Sequence, residues 1–191
     1  TGLSAVYDKV IKTQAEFEAL IASETWLGAT SVALVGQFTY KDENNSGIKV
    51  PDSVRQIHGF NNRGKSAKIT ITNFKYNSTT AKGGLWYDTR PTTPDYSIRD
   101  LEVSCTGTGT GSNVFGFSNC INLSNCTGTG TSIGTGTGIG TNGRGFYNCI
   151  NLSNCTGTGT GTGTGATYGY GFYNCNNLSN CTGTGSGTYG R

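Results

Sequence analysis

Seven cysteines, one histidine and a cluster of aromatic and charged residues around Trp86 are where this 191-residue chain could do chemistry. Six of the cysteines pair as Cys120/Cys126, Cys149/Cys155 and Cys175/Cys181, each pair six residues apart. Zinc knuckles place ligands about two to four residues apart, so the spacing argues against a metal site. A disulfide within a pair would need a sharp bend, because six extended residues span roughly 20 Å. Stacked β-coils, about 4.8 Å apart, would instead bring equivalent cysteines of successive repeats within bridging reach. The preferred reading is free thiols buried as small apolar groups. The odd count leaves the redox compartment open.

His58 lies in Gln56-Ile57-His58-Gly59-Phe60, with no serine or cysteine nucleophile beside it, and reads as structural rather than catalytic. Glycoside cleavage would need two facing carboxylates. Asp88, Asp95, Asp100 and Glu102 are the candidates, with Asp100 and Glu102 expected on one strand face. Solvated surface charge is the preferred account, and no catalytic residue, metal or cofactor is assigned. The most site-like stretch is Trp86-Tyr87-Asp88-Thr89-Arg90-Pro91, where Trp86, Tyr87, Asp88 and Arg90 have the character of a sugar-binding surface. The alternative is an aromatic loop packed over the fold. Tyr147, Tyr168, Tyr170 and Tyr173 would extend such a surface.

The elements that must position these residues are written in a repeat. Gly116-Phe117-Ser118-Asn119-Cys120-Ile121-Asn122-Leu123-Ser124-Asn125-Cys126-Thr127-Gly128 returns almost unchanged at 145–157 and 171–183. A unit this small cannot bury its own apolar face and is stable only when stacked on its neighbours. Apolar residues recur every third position, which puts Phe117, Cys120, Leu123, Cys126, Phe146, Cys149, Leu152, Cys155, Phe172, Cys175, Leu178 and Cys181 in a stacked core. The intervening Asn residues tolerate the left-handed corners that tight coils need. Each repeat ends in a Thr-Gly run. An extended run would place Thr on one face and Gly on the other, tolerable only where something packs closely on the glycines. A flexible loop of variable length is the alternative, supported by repeat spacings of 29 and 26 residues.

The first half has a different composition. Residues 1–102 hold every Asp and Glu, both Trp, all three Pro and His58, while residues 103–191 hold all seven Cys. Thr13-Gln14-Ala15-Glu16 is a capping box followed by Phe17, Leu20 and Ile21 on one face, which predicts a short helix over residues 14–22. Alternating runs at 31–35, 38–40, 47–50, 54–57, 68–72 and 98–103 read as strands. The net charge of +3 is too small and scattered to indicate a nucleic-acid partner. No apolar run is long enough to span a membrane.

The helix, residues 31–35 and the strand runs through 98–103 resemble the opening of right-handed parallel β-helix proteins. That pectate-lyase-like family is common in phage tailspikes and bacterial surface proteins. Phe146-Tyr147-Asn148-Cys149-Ile150-Asn151-Leu152, with residues 50–57, resembles the leucine-rich repeats of BspA-type surface proteins. The β-helix is preferred, because Cys155-Thr156-Gly157-Thr158-Gly159 stands where the rival family continues with apolar strand residues.

We therefore expect an all-β protein, a parallel β-helix or β-solenoid with a short N-terminal α-helical cap. Residues 1–30 form the capping segment, 31–104 coils with loops, and 105–191 the repeat solenoid, expected to be a piece of a longer array. The resemblance implies a structural or attachment protein of a virion tail or cell surface. It would be a tail-fibre or tailspike-like component recognising cell-surface polysaccharide, or else a bacterial adhesin or extracellular filament, with homotrimer or fibre self-association. A polysaccharide depolymerase is the enzymatic alternative. Ice binding by a flat Thr face is a further one, against which the uneven repeat lengths count.

Overall fold

Short runs that alternate inward and outward residues can only be satisfied by pairing edge to edge, and here every ladder named below is parallel. The computed structural model describes residues 2–76, 83–109, 113–135 and 141–190. Three sheets wrap one axis as a β-solenoid. The first sheet stacks Lys9–Ile11, Ser31–Val35, Gln56–Phe60, Ser97–Arg99, Ile121–Ser124, Ile150–Ser153 and Asn176–Ser179. The second stacks Gln37–Lys41, Ala67–Tyr76, Leu101–Gly109, Thr127–Gly134, Thr156–Thr162 and Thr182–Ser186. The third stacks Ile48–Val50, Leu85–Tyr87, Asn113–Ser118, Thr141–Tyr147, Thr167–Tyr173 and Tyr189–Gly190. Each coil visits the sheets in that order. The second sheet runs through residue 104 without interruption, because Leu101–Gly109 pairs with Ala67–Tyr76 on one side and Thr127–Gly134 on the other.

The helix α1, Gln14–Ala22, closes the first coil. Thr13 Oγ1 accepts from the Glu16 N–H at 3.2 Å, and the Glu16 carboxylate accepts from the Thr13 N–H at 3.0 Å, completing the capping box. Phe17 stacks on Phe38 with centroids 4.9 Å apart. Gln14 does the work of a missing strand: its amide donates to the Thr39 carbonyl at 2.7 Å and accepts from the Thr39 N–H at 3.0 Å. The exposed edge of the second sheet is blocked at that point.

Corners are built by side-chain amides. Asn119, Asn122 and Asn125, with their equivalents in the next two repeats, all have φ between 51° and 59°. Asn119 donates to the Tyr87 carbonyl, Asn148 to Asn119 Oδ1 at 2.6 Å, and Asn174 to Asn148 Oδ1 at 3.1 Å. A second ladder links Asn122, Asn151 and Asn177 at 3.0 Å per step. Asp100 takes the same left-handed turn, φ 54°, so the expected strand over 98–103 is broken there. Between the strand runs read at 68–72 and 98–103 the structure adds a further strand, Leu85–Tyr87, and residues 77–82 lie outside the described residues.

The Thr-Gly runs are strands, not loops. Glycine points inward and threonine outward along Thr127–Gly134 and Thr156–Thr162. A Cβ on Gly130 would lie 2.2 Å from the Arg144 carbonyl oxygen, and one on Gly143 would lie 2.1 Å from that of Thr160. The second and third sheets thus touch backbone to backbone, without the side-chain layer that holds ordinary packed sheets about 10 Å apart. Beside this glycine seam, against the first sheet, lies the apolar core. Phe117, Phe146 and Phe172 stack there with centroids 5.1 and 5.0 Å apart. Leu123, Leu152 and the cysteines of the same repeats are also in the core. In the last described coil Leu178 is 41% exposed.

The seam makes a sharp expectation. Gly143→Ala should destabilise the fold by about 3 kcal/mol or more in chemical denaturation, since the carbonyls it meets are backbone and cannot step aside. Thr158→Ala, facing solvent on the same seam, should stay within about 0.5 kcal/mol of the parent.

Candidate functional site

Side chains on the outer faces are set by the seam: with glycine fixed inside, every alternate residue must face out. On the second sheet Thr127, Thr129 and Thr131 align with Thr156, Thr158 and Thr160, and these with Thr182, Thr184 and Ser186. The array continues backwards to Ser104 and Thr106. Uneven repeat lengths do not break it. The register holds to Ile133↔Thr162 and resumes at Thr141↔Thr167, so most of the length difference falls between those strands, in residues 135–140 and 163–166.

The third sheet carries an aromatic and cationic face. Trp86, Ser118, Tyr147 and Tyr173 form one column, and Phe115, Arg144 and Tyr170 another. The Arg144 guanidinium lies 4.5 Å from the Tyr173 centroid, 5.0 Å from Tyr147, 5.6 Å from Phe115 and 5.8 Å from Tyr170. Its Nη1 donates to Asn113 Oδ1 at 3.2 Å. Tyr147 stacks on Phe115 and on Tyr173 at 4.8 and 5.9 Å. Rings stacked along the rod show solvent their edges, so this face offers hydroxyls and a cation rather than open ring faces.

The stretch from Trp86 to Arg90 divides. Trp86 is half-buried and its Nε1 donates to the Ser46 carbonyl at 2.8 Å. Lys49 Nζ sits 5.7 Å over that indole and 3.7 Å from the exposed Asp88 carboxylate. Tyr87, the next residue along an alternating strand, turns inward. It is 2% exposed, its hydroxyl donates to the Val54 carbonyl, and burial pushes its phenol well above the ordinary range. Arg90 donates to the Asn148 carbonyl and to Asn148 Oδ1 at 2.7 Å, strapping its loop to a corner later in the chain. Trp86 and Asp88 remain at the surface, whereas Tyr87 and Arg90 hold the framework.

The carboxylates are individually engaged. Asp95 pairs with Arg55, Glu102 with Lys68 at 2.9 Å, and Asp100 accepts from Asn125 Nδ2 at 3.1 Å. The left-handed turn at Asp100 removes it from the strand face of Glu102, correcting the expectation that the two share one. The cysteines are free thiols: Cys120, Cys149 and Cys175 follow one another in one column, Cys126, Cys155 and Cys181 in another, and Cys105 stands apart on the second sheet in register with Gly130. Cys149 lies between Cys120 and Cys175 in its column, and its thiol donates to the Tyr147 carbonyl at 3.3 Å. Burial holds Cys105 up at about 12 and also raises Cys126 and Cys149, which makes them inert packing groups. Among the described residues no cluster of three or more His, Cys, Asp or Glu is placed to hold a metal.

His58 has a constellation that local sequence does not reveal. Its Nδ1 is 2.6 Å from the Tyr7 hydroxyl and its Nε2 is 2.9 Å from Ser97 Oγ, while Arg99 donates to the Tyr7 oxygen at 3.2 Å. The Tyr7 hydroxyl and the Ser97 hydroxyl thus engage both ring nitrogens of His58, one as donor and the other as acceptor of the neutral imidazole. The network pins the N-terminal segment to the first sheet.

Burial, then the nearby Arg99 charge, pushes His58 down to about 4. In the unfolded chain it titrates near 6.5. Between those values the unfolded state binds more protons, so stability is fully present above about 6.5 and is lost as pH falls towards 4. Denaturation midpoints measured across that window should drop with pH, and His58→Gln should flatten the slope.

Compared with known proteins, the chain matches no family model, no curated protein and no solved structure.

Proposed function

We propose that this protein is a structural and attachment rod that engages a polymeric cell-surface polysaccharide through its outer faces. The supporting observation is the in-register repetition of outward Thr, Asn, Ser and Tyr side chains, one copy per coil. A repetitive surface suits a repetitive ligand. Each contact is weak, and affinity comes from their number, because once one coil is engaged its neighbours bind at high effective concentration. Among the described residues the glycine seam and the core fill the inside of the repeats, and the trough along Asn122, Ser124, Asn151, Ser153, Asn177 and Ser179 is open to solvent. The resemblance to tailspike-type β-helices favours a phage tail component, with a bacterial surface adhesin or extracellular filament next. A depolymerase is disfavoured by the separate engagement of Asp88, Asp95, Asp100 and Glu102.

A second reading, water ordering by the threonine face, is favoured by the intact register of that array. It would appear as thermal hysteresis in freezing measurements, and a normal freezing curve would leave the face to attachment.

For attachment, deletion of one 26-residue repeat, residues 145–170, should weaken binding to intact host cells or their isolated polysaccharide several-fold, read as slower association and faster release. Complete loss from that deletion in a chain that still folds, or from a single outward substitution, would overturn the multivalent reading.

A further inference from the structure

A cleft opens where the regular coils give way to the cap, between the end of α1 and the loop that precedes Ile48–Val50. Its volume is about 470 Å³, and Ser23, Glu24, Trp26, Tyr40, Ser46 and Lys49 are among the residues lining it. That size falls among small-molecule sites, and its lining is mixed rather than apolar.

Both walls are held in place without a ligand. On one side Trp26 and Leu27 are consecutive non-glycine residues in the left-handed region, with φ 50° and 58°. Side chains rarely adopt this conformation, and such outliers gather at functional sites. Ser23 Oγ accepts from the Leu27 N–H at 2.8 Å and fixes the bend that sets Trp26 against the cleft. On the other side the buried Asp42 carboxylate accepts from the N–H groups of Ser46 at 3.1 Å and Gly47 at 2.7 Å. The Trp86 indole donates to the Ser46 carbonyl from outside. The two tryptophans of the chain therefore both belong to this cleft or its margin.

The lining selects its ligand by exclusion and by fit. Glu24 and Lys49 cancel in charge, and Asp88 stands 3.7 Å from Lys49. A phosphate, sulfate or uronate entering here would meet two carboxylates for one ammonium. For a metal ion the lining offers Glu24 as its one carboxylate, beside the Lys49 ammonium. What fits is a neutral ring compound with hydroxyls on its rim and an apolar face: Glu24 accepts, Lys49 donates, Ser23 and Ser46 do either, and the half-buried Tyr40 takes the apolar face, while Trp26, 2% exposed, belongs to the core behind the wall. We propose that the cleft is a subsite for a neutral sugar, one or two pyranose residues of a polysaccharide. This rests on the attachment reading above and adds one defined contact to the distributed ones.

The test is titration of the full chain with methyl glucoside, galactoside, mannoside and N-acetylglucosaminide and with neutral disaccharides, read by tryptophan fluorescence. Saturable change with one of them is expected, reduced about tenfold or more by Glu24→Gln and by Lys49→Ala, both exposed and compatible with folding. The exposed change Lys65→Ala, remote from the cleft and from the outward columns, should leave it unchanged. No response to any of these sugars while the chain still binds host polysaccharide would overturn the subsite and leave attachment standing. Loss in the outward pair Thr129→Val with Thr158→Val but not in the cleft variants would overturn it too, as would tighter binding of methyl glucuronide than of the neutral sugars. Failure to bind either sugar or polysaccharide would remove both readings together.

Discussion

Direct contact between the backbones of the second and third sheets is the constraint on which the rest of this structure depends. A sheet can be buried on a face of bare glycine only because its N–H and C=O groups are already paired along the rod. Each glycine costs about 0.5–1 kcal/mol in lost chain freedom. What offsets that is contact density: Gly130 and Gly143 leave no room for even one added carbon, so both backbones gain dispersion contacts along their whole length. The same closeness dictates what faces solvent. With one parity of residue locked inside, the Thr columns are a geometric consequence.

A seam of this kind also explains where variation is allowed. A one-residue slip would turn threonine into the seam, so registers hold across every Thr-Gly strand. Among the Thr-Gly repeats the difference in spacing falls between the second-sheet and third-sheet strands, whereas the earlier coils also carry longer connections at 61–66 and 88–96. At the opposite corners the Asn ladders impose equal rigidity by a different means, as each amide donates to the oxygen of the coil before it. Phe and Cys columns fill the space between. The repeat is therefore fixed at the corners and seam, and free at one turn.

These relations explain which features could be read from the chain. The helix was legible because Thr13 and Glu16 form a local signal and Phe17 and Leu20 follow at helical spacing. The solenoid was legible because three nearly identical segments cannot each form a core. The state of the Thr-Gly runs was not, since a glycine-faced strand and a flexible loop share one composition. What decides between them is a second set of glycines, Gly143, Gly145, Gly169 and Gly171, that meets the first across the seam. Leu85–Tyr87 escaped notice because three residues are too few to show a period. Tyr87 was assigned to the surface with Trp86, although neighbours on a strand must face opposite ways. The Tyr7, His58 and Ser97 network joins residues 51 and 39 positions apart, a separation no local pattern reports.

The same physics divides the molecule into two kinds of surface. Where coils repeat without error, the interior is full, charged residues are almost absent and the exterior can only be periodic. Selectivity for one chemical group needs an irregular arrangement of donors and acceptors, and perfect repetition forbids it. Irregularity is available at the capped end, where α1 departs from the sheet pattern, Trp26 and Leu27 take up left-handed backbone, and Glu24, Lys49 and Asp88 bring unlike charges together. On the attachment reading proposed above, a rod built this way would gain avidity from its length and discrimination from its capped end. Because the helix that blocks the sheet edge through Gln14 also forms one wall of the cleft, protection against edge pairing and the proposed sugar subsite are placed by one element.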